Sequence, residues 1–557
     1  MIFRFLTIFL ALFGFSLYCQ SFDSQIEQST IQKSIVKPKK FHEIGELPKN
    51  SKILNIFDGK TFEEISAFYK NLPTSNKSFP IDKLIYDILI SKVSFEEQQL
   101  SYDEDKQIFE IRVNKLFEMG KFQDIDSFYD QMPVDIENEA LNFKRIEAYL
   151  LRNEFKNACE LQKSLTVKKS YEWGKLEIIC NIVDQDFEKA RFSLSLLKEF
   201  SIPGNNLFID LAYKIIGDIE ISDEKIYSEK LRELKTLTPV LLSSLQIAEV
   251  SPSYENIKDS PINQLIFILS SPSSSTEIKL YCAERLVRLK RIEPQILAEV
   301  YQLSIFSSEE VQNVFELYKT FSPVRSRALL YQATIIEKDP DTKFKLIQLL
   351  LNQSKRENLF RPMALLLANS LDYHDLELSN EDEKSLILDI FLSNSQYLKA
   401  QSYIDKNKEL SLLKFKEIIL DLLIQIDDNP KEGYEKVKPI TKTILPSNLP
   451  KKMVENYLII DSIMKKNGKL DRIIPFTEVN PYKLEGDMDL IDFLLVVNEK
   501  SYEKDFELLR VLLKIIHEKD FQELSNLEAF SLLKIIEYFT NFETFREISK
   551  DLLLSQI

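Results

Sequence analysis

Glycine is scarce in this chain, at 10 of 557 residues, far below the usual share of about 7 per cent. Hairpin-linked sheets, phosphate-cradling loops and dinucleotide folds all draw on glycine for positive φ or close backbone approach. Its scarcity argues against all three. Histidine occurs three times and cysteine four times, with no CxxC, HxxxH or HExxH spacing. A closed zinc site needs four converging ligands, so neither a structural metal nor a cofactor is expected. Basic excess is also missing: 87 acidic residues against 72 basic ones give a net charge of −15. Affinity for nucleic acid comes largely from phosphate neutralisation by Lys and Arg, so a nucleic-acid partner is not expected. The short cluster Lys37, Lys39 and Lys40, broken by Pro38, reads as a solvated linker.

What remains is 44% hydrophobic and 29% charged, too apolar for general disorder. With so little glycine, this composition predicts an all-α protein. A length of 557 residues exceeds what one core organises, so the chain should divide into sections.

The amino terminus is organised for targeting. Arg4 precedes an uncharged, largely apolar run from Phe5 to Tyr18, and polar Gln20-Ser21-Phe22-Asp23 follows. One positive charge, a short apolar stretch and then polar residues fit a secretory signal peptide over 1–19, cleaved after Cys19 or Ser21. A membrane span needs about 20 apolar residues. Lipid attachment at Cys19 is the weaker reading, because Ser16 stands where the bacterial lipoprotein pattern wants Leu. The expected location is therefore periplasmic or otherwise exported. Membrane contact is expected only if this segment stays uncleaved or Cys19 is lipidated.

Residues 20–50 hold no sustained apolar period and read as a polar linker. Beyond Ser51, helical patterns of roughly 10–16 residues alternate with short polar breaks. Pro and Ser clusters at 251–253 and 270–275 mark a connection over 251–276. Ser274 with Glu277 reads as a capping box for a helix running through Arg285 to Leu289. The expected sections are thus an array over 51–250, the Ser/Pro-rich connection and a second array over 277–557.

Three breaks resemble one another: Met119-Gly120-Lys121-Phe122 through Ile125, Arg152-Asn153-Glu154-Phe155 through Ala158, and Asp184-Gln185-Asp186-Phe187 through Ala190. The aromatic recurs at 122, 155 and 187, and a small or aliphatic residue follows three places later. Steps of 33 and 32 suit a helical-hairpin repeat. The aromatic would open the second helix and plug the hairpin's end, and the residue three later must be modest where two helices cross. These turns resemble those of the tetratricopeptide repeat, with its Gly-x-aromatic-x-x-Ala signature, and Tyr149 falls where that family places a first-helix tyrosine. Partial copies stand at 395–400, 468–473 and 519–524. Most first helices depart from the family pattern. The resemblance implies a right-handed α-solenoid of antiparallel hairpins whose first helices line a groove for a protein or peptide. Transferred by spacing, that lining includes Glu110, Asn114, Glu147 and Lys175.

Cys159 and Cys180 lie equally far from the polar break at 168–170. Antiparallel helices reversing there would hold both thiols at one level, as a disulfide requires. Given export this is one reading, and two free buried cysteines are the other. Cys282 has no evident partner and reads as buried. Trp173, Leu176, Cys180 and Val183 recur at helical spacing and read as core. His42, His374 and His517 are each followed by an acid, but adjacent helical residues do not face each other.

Signals of catalysis are weak. There is no G-x-S-x-G or Walker loop, and Ser195 with Lys198 or Ser531 with Lys534 lacks the companion motifs of penicillin-binding enzymes. Lytic transglycosylases also combine export with superhelical domains, but their Glu-Ser motif does not occur in this sequence. The expectation is a non-enzymatic envelope scaffold that binds envelope proteins or peptides. The alternatives are a helical domain or regulator of a peptidoglycan-processing enzyme, and a periplasmic carrier for unfolded proteins.

Overall fold

The computed structural model describes residues 40–426 and 504–555, less short stretches such as 49–50, 76–77, 95–99, 133–137, 167–169, 200–204, 218–223 and 408–415, and scattered single positions. The expected signal segment, Cys19, His374 and the partial copy expected at 468–473 lie outside the described residues. Within them every regular element is helical, apart from one isolated bridge between Glu46 and Ser91.

Helices that follow one another pack side by side. Tyr102–Glu118 lies on Phe122–Gln131, Glu139–Leu151 on Phe155–Ser164, and Tyr171–Val183 on Phe187–Lys198. Further along, Ile262–Ser270, Thr276–Arg288 and Pro294–Leu303 pack in succession, followed by Pro323–Ile336, Pro340–Arg356, Phe360–Leu367, Glu381–Ser393 and Tyr397–Lys406.

One turn is used again and again to end a helix. At Gly120, Asn153, Gln185, Glu249, Lys290, Asn358 and Ser395 the backbone takes a positive φ between 54° and 75°. In each case the residue's own N–H reaches back three positions and the next N–H reaches back five, as in Gly120 to Phe117 O and Lys121 to Leu116 O. This is the Schellman arrangement, which satisfies carbonyls that the end of a helix leaves unpaired. Four of these turns are those legible in the sequence. Five of the helices that follow open on the aromatic: Phe122, Phe155, Phe187, Phe360 and Tyr397. Three residues on stand Ile125, Ala158, Ala190, Met363 and Ala400, each 0% exposed. The site where hairpin helices cross therefore admits nothing larger without displacement. The copy expected at 519–524 differs: Phe521 opens no helix, and the next one begins at Asn526 behind the cap Ser525.

Six of the seven turns set a non-glycine residue in the left-handed region, where an L side chain is strained. Gln185 is an exposed example with φ 62°. Gln185→Gly should therefore raise stability by about 0.5–1 kcal/mol despite the added freedom of the unfolded chain. Thermal unfolding of the purified variant checks this, and an unchanged or lowered midpoint would show that the strain is relieved locally.

Several expected boundaries shift. Residues 40–48 are no linker: Phe41–Glu43 forms a short 3-10 helix, and Phe41 and Ile44 are buried against the 102–118 helix. Two isolated apolar residues give no period to read, yet both enter the core. The region 251–276 is not an open connection, since it contains the helices Tyr254–Ile257 and Ile262–Ser270 with Ile262, Leu265, Phe267 and Ile268 buried. The following helix, Thr276–Arg288, is capped by Ser275, whose Oγ accepts the Ile278 N–H. Ser274, the expected cap, is buried one residue earlier. Trp173, Leu176 and Cys180 are core, but Val183 at the helix end is 38% exposed.

The described helices fall within one compact unit that begins at Lys39. The last described helices, Lys504–Glu518, Asn526–Phe539 and Phe542–Leu554, return to the amino-terminal ones. Phe506 packs beside Phe57 and Phe68, with ring centroids 5.9 and 5.4 Å away. Lys52 Nζ donates to Tyr538 O at 3.1 Å, and helix 542–554 lies against Phe79–Ile90.

Candidate functional site

The inner face expected to hold a partner is largely covered by the chain itself. Helix 262–270 packs on helices 102–118 and 139–151, while Pro239–Ile247 packs on helices 139–151 and 171–183. The consequences differ among the four expected lining residues. Glu147 is 6% exposed and Lys175 is 8% exposed. Each is engaged by its own helix: Lys144 Nζ reaches Glu147 at 2.6 Å, and Lys175 Nζ reaches Glu172 at 2.7 Å. Neither is open to a partner. Glu110 is half-buried and accepts a 2.7 Å bond from Asn138 Nδ2, and Asn114 alone is exposed. The spacing places all four on first helices, as expected. What it does not contain is the later segment that fills the face between them.

Burial raises the Glu147 carboxyl above its ordinary value, with Lys144 opposing and Glu172 adding to the rise. The folded state therefore holds the proton more tightly than the unfolded chain, and stability falls as pH rises from the ordinary carboxylate value through the raised one. Glu147→Gln should then be more stable than the parent at neutral pH, with the gain vanishing below about pH 4. Unfolding curves at the two pH values measure it; a variant destabilised at neutral pH would mean that the Lys144 pair outweighs desolvation.

On the adjoining helices 155–164 and 171–183, Cys159 and Cys180 are joined by a disulfide, with Cα atoms 5.5 Å apart. It links the second helix of one hairpin to the first helix of the next. Cys282 is a free, buried cysteine, and burial pushes its thiol up to about 12. His42 has a partner that local sequence does not reveal: its Nδ1 lies 3.0 Å from Asp105 Oδ2, which also accepts the Phe41 N–H at 2.9 Å. Asp105 is 63 residues away, beyond any spacing rule. His517 is exposed. In the two Ser-x-x-Lys pairs, Ser195 Oγ donates to Phe192 O at 2.7 Å, and Lys534 pairs with Glu537 at 3.1 Å.

Two surfaces went unread in the sequence. The first is aliphatic: Leu303, Ile305, Ile335 and Ile336 are 60%, 88%, 45% and 64% exposed. Leu303 ends one helix, Ile305 follows it, and Ile335 and Ile336 end helix 323–336, which packs against the first. Gln332 Nε2 ties the two ends together, donating to Tyr301 O at 2.7 Å and Ser304 O at 2.8 Å. The second is a cavity of about 720 Å³ among the turn at Lys290, the start of helix 360–367 and the last described helix. Its residues come from segments up to about 260 positions apart, as in the Lys290–Asp551 pair, so no local motif announces it.

No protein-family model, curated protein or solved structure matches this chain. Over the described residues the fold is all-helical and built of adjacent, packed helix pairs. Among the described residues, no helix is long and apolar enough to cross a membrane.

Proposed function

We propose that the chain is an exported, non-enzymatic scaffold that binds envelope proteins or peptides, built as a right-handed α-solenoid related to tetratricopeptide arrays. The recurring Schellman turns, each closing one helix before the next, support the repeat reading. The cysteine pair, read with the amino-terminal apolar run, supports export, because disulfides persist in oxidising compartments.

The observation that carries the binding reading is the aliphatic surface at Leu303, Ile305, Ile335 and Ile336. Clustered apolar exposure of this kind marks protein-contact sites in soluble proteins. It displaces the inner groove as the place for a partner, since Glu147 and Lys175 are enclosed.

A photo-crosslinking residue at Ile305, introduced into the protein in intact cells, tests this. One discrete envelope protein should be captured, and Ile336→Asp in the same chain should reduce its yield at least tenfold. Equal yield from Ile336→Asp, or no adduct from Ile305, would remove the surface from the account. The carrier alternative predicts a smear of many clients instead, together with suppression of client aggregation.

A further inference from the structure

The 720 Å³ cavity has a composition unlike the rest of this acidic chain. Four cations line it, Arg288, Lys290, Lys355 and Arg361, against two acids, Glu293 and Asp551. Two of the cations are paired at its edge: Arg288 with Glu357 at 4.0 Å, and Lys355 with Asp389 at 3.9 Å. The other two converge on a single carboxylate. Lys290 Nζ lies 2.7 Å from both oxygens of Asp551, and Arg361 NH1 lies 2.8 Å from Oδ1. Two positive groups thus share one carboxylate, with Glu293 also on the wall and Glu547 acting on Lys290 from the other side.

This trio also borders a second, smaller cavity of about 380 Å³, lined by Arg546, Lys550, Glu543, Glu547 and Pro80 in addition to the trio. On the larger side part of the wall is apolar, with Ile292, Phe360, Leu365, Phe521 and Leu554. The trio therefore stands between a polar chamber and one of mixed lining. A cavity of this volume is in the range that small ligands occupy, with an apolar lining and a few convergent polar groups. Burial lowers the Lys290 ammonium from its ordinary value, Asp551 opposes this and Arg361 adds to the lowering. Glu547 opposes the lowering as well, and an anionic ligand head would add a further acceptor beside these two donors. Since one oxygen of Asp551 already meets both nitrogens, the oxygens of one ligand head group can meet both as well.

We propose that this cavity binds a small amphipathic anion, its carboxylate or phosphate head paired with Lys290 and Arg361 and its apolar body against Phe360, Leu365 and Leu554. This inference is independent of the scaffold reading, because it concerns a different face and a small molecule. The probe is 11-(dansylamino)undecanoate with the purified full chain, and its neutral carboxamide is the comparison. The acid should bind with a rise in fluorescence, and the carboxamide at least tenfold more weakly. Arg361→Gln should weaken the acid at least tenfold and leave the carboxamide unchanged. Leu365→Glu places an anion on a partly exposed wall position and should abolish binding of the acid without disturbing the core.

Competition by decanoate against decyl phosphate then assigns the head group. Equal binding of acid and carboxamide, or parent-like binding of the acid by both variants, would overturn the proposal. So would the absence of a signal with the parent protein up to about 1 mM probe, the weak limit of specific binding.

Discussion

Replacing Arg112 with Leu should destabilise the protein by about 3–5 kcal/mol, the largest single-residue loss expected. Arg112 is 1% exposed, and its guanidinium donates to Leu89 O at 2.9 Å, Ser91 O at 2.8 Å and Ile44 O at 3.2 Å. Those carbonyls belong to the end of helix 79–90, the segment after it and the amino-terminal strap, so one side chain holds three passages of chain together. Its ring-face contact with Phe128, at 5.1 Å, fixes it from the other side. Burial lowers its pKa, with Tyr69 and Asp105 opposing. Leucine restores the apolar volume but leaves three buried carbonyls without their donor, and the cost lies mainly there.

The strap offers a second check at the same junction. Gly45 has φ 132°, and a Cβ there would lie 2.3 Å from Ile90 O and 3.1 Å from Arg112 NH2, so Gly45→Ala should loosen the same junction by crowding both the backbone and the guanidinium. Protease cleavage near residues 40–48 should increase in both variants. Cleavage unchanged in Arg112→Leu would mean that the strap is held by Asp105 and the apolar contacts of Phe41 alone.

Removing the Cys159–Cys180 bridge should cost about 3 kcal/mol in the chain-entropy model for a sequence separation of 21. The double variant Cys159→Ser with Cys180→Ser should unfold at lower temperature than the parent, and reductant should bring the parent to the same midpoint. Added reductant should leave the variant unmoved, because Cys282 is buried and unbridged. A parent insensitive to reductant would mean that packing of helices 155–164 and 171–183 supplies their mutual stability.

These expectations rest on features that the sequence revealed unequally. The hairpin turn was legible where Gly120, Asn153, Gln185 and Ser395 stand two places before an aromatic, because the same backbone problem recurs with related residues. Glu249 and Lys290 solve it too, yet neither residue type advertises a left-handed conformation, so those turns passed unread, as did Asn358 although it stands two places before Phe360. The small residue after each aromatic was legible for a steric reason: the helix crossing leaves Ala158, Ala190 and Ala400 no exposure at all. The spacing of Cys159 and Cys180 about a polar break was likewise local information.

What escaped was long-range. Helices 239–247 and 262–270 fold back over helices 102–118, 139–151 and 171–183, although by sequence the first reads as part of the array over 51–250 and the second as part of a Ser/Pro-rich connection. That single return turns Glu147 and Lys175 from groove lining into buried groups. The cavity at Lys290, Arg361 and Asp551 depends on another return, that of the last described helix. Periodicity records which face of a helix is apolar; it does not record which distant helix covers that face.

The central claim is an exported chain stapled between neighbouring hairpins. Its most direct test is the intact mass of the protein taken from its own cells, trapped in acid and alkylated while denatured but unreduced. A chain shortened by 19 or 21 residues and carrying one label, on Cys282, is the predicted result. A chain that retains all 557 residues and carries labels on Cys159 and Cys180 would contradict it.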